Sequence, residues 1–264
     1  STMAYLEEVT VAVEEMLEKL GRRPSDFYNS VDALFFHRPY HMMPVQAMSF
    51  LYARGLARST SSANREKFAK LCAAAKVTEI EVREELAPSV DLFSLIEKGV
   101  TNVEIAKATN SVAKVVRSNP DFVALLARKM ALGSATMANF GNLYTASLPC
   151  WIAAGFEEAV QTKRDLTGKP MVMVGYGSGD AAESIPIQAV PGWERQAERI
   201  KIGEALAAQI NLTKEQYEGL HSGATKEDLA AGLRKGQFVI DSIGKRNDPA
   251  FQDIGIEYYS FVPN

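Results

Sequence analysis

Cysteine and histidine are scarce in this 264-residue chain, which holds two cysteines, Cys72 and Cys150, and three histidines, His37, His41 and His221. Neither cysteine stands at metal-ligand spacing from another ligand, so a zinc site and a disulfide framework are both unexpected. A reducing, cytoplasmic compartment is the default. Three histidines in the whole chain also argue against a multi-histidine metal centre. An excess of positive charge is missing as well. With 29 Lys+Arg against 32 Asp+Glu the net charge is −3, which argues against a general nucleic-acid binder or an anionic-membrane binder. No apolar run reaches the roughly 18 residues that a membrane span needs. The chain opens on a charged amphipathic stretch rather than on a secretory signal. Repeats and low-complexity tracts are lacking too.

What is present is apolar bulk. At 47% hydrophobic residues the chain can fill the core of one large domain or two small ones. From about Ala4 to Leu20, apolar residues at Leu6, Val9, Val13, Met16, Leu17 and Leu20 predict a helix with one buried stripe, stopped by Gly21. Val31 to Phe36 reads as a short buried strand ending before Pro39. Pro44 suits the first turn of a helix that runs on through Val45 to Leu56. A mostly helical segment at about 61–130 includes helices at Asn64 to Ala75, Val90 to Lys98 and Val103 to Val116, and another from Asp121. Pro149 to Gln161 predicts a helix buried on at least one side. Strands are expected at Met171 to Gly175, Ser184 to Val190, Gln237 to Ile243 and Ile254 to Val262. Two surface helices fill Trp193 to Leu220, joined near Asn211 and with Thr213 as N-cap. Strands separated by helices in this way give an α/β class with a mixed sheet.

Three elements carry chemistry. Phe35-Phe36-His37-Arg38-Pro39-Tyr40 sets an imidazole at the carboxyl end of a buried strand, where α/β sheets bind ligands, and Pro39 fixes the exit of the chain. A histidine satisfied by a backbone carbonyl is the other reading. Gly141-Asn142-Leu143-Tyr144-Thr145-Ala146-Ser147 sets an amide in a glycine-flanked turn before an apolar stretch. An ordinary turn or cap explains that box equally, with Thr145 and Ser147 as capping residues. His37 and Asn142 together can donate hydrogen bonds to a developing oxyanion. Gly175-Tyr176-Gly177-Ser178-Gly179-Asp180 follows a strand but lacks the spacing of a dinucleotide fingerprint. It serves either as a loop bringing backbone N–H groups to a bound group or as a tight hairpin.

No nucleophile accompanies them. A catalytic thiolate wants a partly exposed, electropositive setting, and neither Cys72 nor Cys150 has one, so both are read as structural. Met42, Met43 and Met48 read as core filler. His221 sits at a helix end ahead of Gly223, where a positive charge favours the helix dipole. His41 is either a second site imidazole or a loop residue.

The order and spacing of the three boxes, with Tyr217-Glu218-x-Leu220-His221-x-Gly223 behind them, resemble the C-terminal half of the 3-hydroxy-3-methylglutaryl-CoA synthases, members of the thiolase superfamily. The resemblance implies one thiolase-like half-domain over residues 1–264, a mixed sheet with helices packed on both faces. It implies that His37 and Asn142 assist at the acceptor thioester carbonyl. Pro39, Tyr40, Gly177, Ser178, Gly179 and Arg38 would line the substrate. The substrate would be a coenzyme A thioester or the phosphopantetheine of an acyl-carrier protein, with no further cofactor. In the family a cysteine of the N-terminal half carries the acetyl group and a glutamate there acts as acid/base, which implies a partner polypeptide. An exposed half-sandwich would present a large apolar face, so a partner chain or tight oligomer is expected. Lysines that serve the CoA phosphates shortly after the histidine box are replaced here by Met42, Met43, Pro44 and Gln46, leaving Arg38, Lys163 and Arg164 as weak substitutes. Two further readings stay open: a non-catalytic thiolase-like scaffold or acyl-thioester binding protein, and an enzyme using Cys150.

Overall fold

The computed structural model describes residues 2–85, 98–99, 106–177, 179, 181–207, 209–223 and 235–263. The helix expected at 90–98 therefore lies outside the described residues except for Lys98. The chain divides into two compact units, residues 1–204 and residues 205–264.

The first unit is organised by a three-stranded mixed sheet in the order β1-β2-β3: β1 (Ala33–Phe36), β2 (Pro170–Gly177) and β3 (Ala181–Gln188). β1 runs parallel to β2, with Phe35 opposite Met173 and Phe36 opposite Val174. β2 and β3 form an antiparallel hairpin closing at Gly177 and Ala181. All four residues of β1 are buried, as expected of a parallel strand covered on both faces.

Alternation along the strands assigns the two covers. Phe35 meets the Trp151 ring edge-on at 6.0 Å, and Gly175 of the same face lies beside Leu148, so α9 (Ser147–Gln161) covers this side. Ser184 and Tyr176 belong to the other face. They meet Met16 and Tyr5 of α1 (Thr2–Lys19), which covers that side. α9 approaches closely because Gly155 has no side chain: a Cβ there would stand 3.0 Å from the Phe35 ring. At Gly133, in the left-handed conformation with φ +72°, a Cβ would lie 2.4 Å from the Gly155 nitrogen, so glycine is required twice over.

Helices fill the rest of the unit. α1 ends at Gly21 as expected and buries Leu6, Val9, Val13, Met16 and Leu17, whereas Leu20 is exposed. α2 (Pro24–Ser30) was not foreseen; its seven residues are too few to show a periodicity. α3 (Met42–Ala57) buries most of its length and packs against α1, α2, α4 (Ser62–Ala75) and α6 (Lys107–Ser118). Between the last two lies α5 (Glu79–Glu85). Asn119 caps α7 (Pro120–Lys129), its Oδ1 accepting from the N–H groups of Asp121 and Phe122, with Pro120 in the first turn. A single turn, α8 (Ser134–Met137), then leads into the loop before α9. The segment read as two helices holds three, α10 (Trp193–Ala197), α11 (Ile202–Leu206) and, in the second unit, α12 (Lys214–His221). Thr213 and Gln216 form the expected capping box on α12.

In the second unit, β4 (Gln237–Ile243) and β7 (Glu257–Val262) make an antiparallel ribbon, with Phe238 opposite Phe261 and a register shift between Ile240 and Ser242. The turn-rich stretch between them holds a two-residue pair, β5 (Asn247–Asp248) and β6 (Phe251–Gln252).

Candidate functional site

His37 directly follows β1 at the carboxyl end of the sheet. Its N–H donates to Val174 O at 2.7 Å, extending the ladder one residue beyond the strand, and its C=O accepts from the Tyr5 hydroxyl at 2.9 Å. The ring is half-buried, with its centroid 6.1 Å from that of Tyr176, which meets Tyr5 edge-on at 5.1 Å. Burial lowers the imidazole pKa below its ordinary 6.5, so at neutral pH the ring is uncharged and carries one donor N–H and one acceptor nitrogen. Burial, then the nearby phenols of Tyr40 and Tyr176, raise the pKa of Tyr5 and keep it a hydroxyl donor.

The histidine box and the Gly-Asn box meet through one residue. The Ser147 hydroxyl, fully buried, accepts from the Arg38 N–H at 2.9 Å and donates to the Arg38 C=O at 2.8 Å. The reading of Thr145 and Ser147 as caps is corrected here. The N-cap of α9 is Ala146, no side chain caps that end, and Ser147 instead fixes the backbone beside His37. A cavity of about 120 Å³ lies between the boxes, with Pro39 and Tyr40 on one side and Phe140 and Gly141 on the other.

Asn142 is exposed. Its Oδ1 accepts from the Tyr144 N–H at 2.9 Å, an Asx turn, so what it can offer a ligand is its NH2 group. Tyr144 is held at φ +49° and is 74% exposed, a strained backbone position in a loop of the kind that clusters at functional sites. Pro39 is half-buried and Tyr40 exposed, its hydroxyl 3.4 Å from Gln46 Oε1. Gly177 closes the β2–β3 ladder and Gly179 lies in the exposed turn, so the hairpin reading holds; Ser178 lies outside the described residues.

The cations offered as phosphate substitutes are placed elsewhere. Arg38 is only 5% exposed, with its guanidinium over the Trp151 ring at 5.1 Å. Lys163 and Arg164 follow the C-terminus of α9, the opposite end from Ser147 and so roughly 22 Å away at 1.5 Å per residue. A cation not singled out from sequence is Arg117 on α6, half-buried, 3.4 Å from Ser49 Oγ and within electrostatic reach of Tyr40. Tyr5, Tyr176 and Ser147 were likewise missed as a shell around His37. Only the aromatic identity of Tyr176 inside the glycine loop could have pointed to one of them.

Both thiols are held protonated. Burial pushes Cys72 up to about 11, with Glu79 adding to the shift, and burial raises Cys150 as well. Among the described residues there is no cluster of three or more His, Cys, Asp or Glu that could hold a metal ion. None of their helices is long and apolar enough to cross a membrane.

The family model described as hydroxymethylglutaryl-coenzyme A synthase C terminal matches residues 1–222. The chain belongs to this family. A hydroxymethylglutaryl-CoA synthase of Haloferax volcanii is 21% identical over 221 residues, which is 84% of this chain and 44% of that protein. Among solved structures, MvaS in complex with 3-hydroxy-3-methylglutaryl coenzyme A superposes with a TM-score of 0.56 at 18% identity. The HMG synthase of the curacin biosynthetic pathway, in complex with holo donor-ACP, gives 0.55 at 18% identity. Each superposition covers 99% of this chain and 50% of the other. The chain thus has the thiolase-like fold of the synthases and spans about half the length of the synthases it matches.

Proposed function

We propose that this chain forms the acceptor side of a thioester-condensing site of the hydroxymethylglutaryl-CoA synthase type. The observation that carries the reading is His37: an uncharged, half-buried imidazole at the carboxyl end of β1, its backbone locked by Val174 and Tyr5 and that of the next residue, Arg38, by Ser147. A polypeptide corresponding to the other half of the synthases supplies the cysteine that carries the acetyl group and the glutamate that acts as acid/base. The glutamate takes a proton from the acetyl methyl, and the resulting carbanion attacks the β-keto carbon of the acceptor thioester. The carbonyl π electrons move onto oxygen. There His37 N–H and the Asn142 NH2 donate to the developing charge, the glutamate returns the proton it took to the alkoxide oxygen, and water later cleaves the thioester that holds the product on the cysteine. Donors of this kind contribute about 10²–10³-fold in rate when they are positioned in advance.

Three further observations support a partner-borne nucleophile. Cys72 and Cys150 are held as thiols, family membership is to the C-terminal part of the synthases, and the second unit leaves a ribbon of aromatic and aliphatic side chains exposed. With Met42, Met43, Pro44 and Gln46 shortly after the histidine box, where the resemblance implies CoA-phosphate lysines in relatives acting on free CoA, the acceptor arrives on an acyl-carrier protein or on CoA held by other cations. The test mixes this chain with a cysteine-bearing N-terminal half, an acetyl donor, and an acetoacetyl acceptor on either CoA or carrier protein. Condensation that needs both polypeptides supports the proposal and identifies the carrier. A chain that binds acyl thioester but yields no product with any such partner is a scaffold, and the proposal is then wrong.

A further inference from the structure

Arg38 is a buried cation without a counter-charge. It is 5% exposed, and among the described residues no carboxylate comes within ion-pair distance of it. Its neighbours are neutral. Nη1 donates to Ser134 O at 3.3 Å and to Ser134 Oγ at 2.9 Å, and Nη2 stands 2.8 Å from His41 Nδ1. A guanidinium has no lone pair to give, so Nδ1 is the acceptor and the ring proton of His41 resides on Nε2. These contacts engage Nη1 and Nη2. Among the described residues no acceptor meets Nε, and adjacent guanidinium nitrogens are what receive a carboxylate through parallel hydrogen bonds. Hydrogen bonds to neutral acceptors, and the Trp151 face below, satisfy direction but leave the charge itself unbalanced, and buried charges are ordinarily paired.

Arg38 also lines a second cavity, of about 210 Å³, which shares Arg38 and His41 with the first. Apart from Arg38, His41 and Ser134 its walls are apolar, with Pro44, Val45, Leu126, Met130 and Trp151 among them. A cavity of this size with one cation at its edge selects against a bare inorganic anion, which would strand those walls in water, and against a neutral aliphatic, which would leave the cation unpaired. We propose that this cavity binds a small aliphatic monocarboxylate, its carboxylate on Arg38 and its alkyl group against Trp151 and Met130. The site is separate from the condensing reading, which can fail without affecting it.

Trp151 and Trp193 are the two tryptophans of the chain, so a Trp193→Phe background makes Trp151 the fluorescence reporter. Butanoate, butanamide and inorganic phosphate are titrated into that protein, and calorimetry on the unsubstituted chain repeats the series. The expected result is a saturable change with butanoate and binding of butanamide and phosphate at least about ten-fold weaker. Arg38→Met should remove the preference for butanoate over butanamide, and Arg38→Lys should keep part of it. Equal binding of butanoate and butanamide, phosphate binding as well as butanoate, or no saturable response to any of them would each overturn the proposal. The comparison among ligands on unsubstituted protein decides the matter even if an Arg38 variant fails to fold.

Discussion

In the unit of residues 1–204, Phe35, Phe36, Phe68 and Phe122 are all at or below 1% exposure, whereas Phe238, Phe251 and Phe261 in residues 205–264 stand 71%, 47% and 52% exposed. The last buried apolar residue along the described chain is Ala197. One unit has a core: a mixed sheet clamped between α1 and α9, with α3 as the hub of the helices beside it. The described residues of the other hold α12 and a two-stranded ribbon, and such a ribbon on its own is marginal in water because nothing buries a face of it. Aromatic content alone therefore does not say where a core will be. What matters is whether a second layer meets the strand. The first unit closes around its aromatics and places His37 at the edge of that closed core; in the second the aromatics of the ribbon stand exposed.

The comparison can be broken most sharply by truncation. Phe35→Ala should cost about 3–5 kcal/mol, since the ring fills the space beside Trp151 and Gly155, whereas Phe238→Ala should stay within about 0.5 kcal/mol. Denaturant unfolding of the two variants checks this, and similar losses would mean that the ribbon has a core after all. Ser147→Ala should come next. It leaves the Arg38 N–H and C=O without partners inside the protein, at a cost of about 1–3 kcal/mol, and frees the chain beside His37. If the proposed reaction is reconstituted, that variant should lose rate even at temperatures where it stays folded.

The smallest effect concerns protons. Because burial lowers the pKa of His37 below 6.5, the unfolded chain binds the proton more readily than the folded one between that lowered value and pH 6.5. Stability should rise with pH across this window and be independent of His37 above it. Unfolding free energies measured through the window should lose this slope in His37→Gln. An NMR titration midpoint for His37 at or above 6.5 would contradict the buried placement.

Much of this was legible in the sequence because it is local. The stripe of α1, the strand before His37, the glycine hairpin after Val174 and the Thr213 capping box each follow from spacing within a dozen residues. The clamp on the site is not local. Ser147 meets Arg38 at a separation of 109 positions along the chain, and nothing near Ser147 distinguishes a clamp from a helix cap. Tyr5 was hidden in the same way, being one apolar position in a helix whose stripe looks complete without it. Arg38 misled for the opposite reason. An arginine beside a ligand box suggests a surface cation, and only the packing of Trp151 shows it turned inward.

The central claim is that His37 and Asn142 act on one acceptor carbonyl. Its most direct test is the condensation rate of His37→Ala, Asn142→Ala and the double variant, each paired with the cysteine-bearing half and each matched for thermal stability to the unsubstituted chain. Losses of about 10²–10³-fold are expected for each single variant, with a double variant little worse than the poorer single, as for groups that work on one charge. Rates unchanged by His37→Ala, or losses that simply multiply in the double variant, would contradict it.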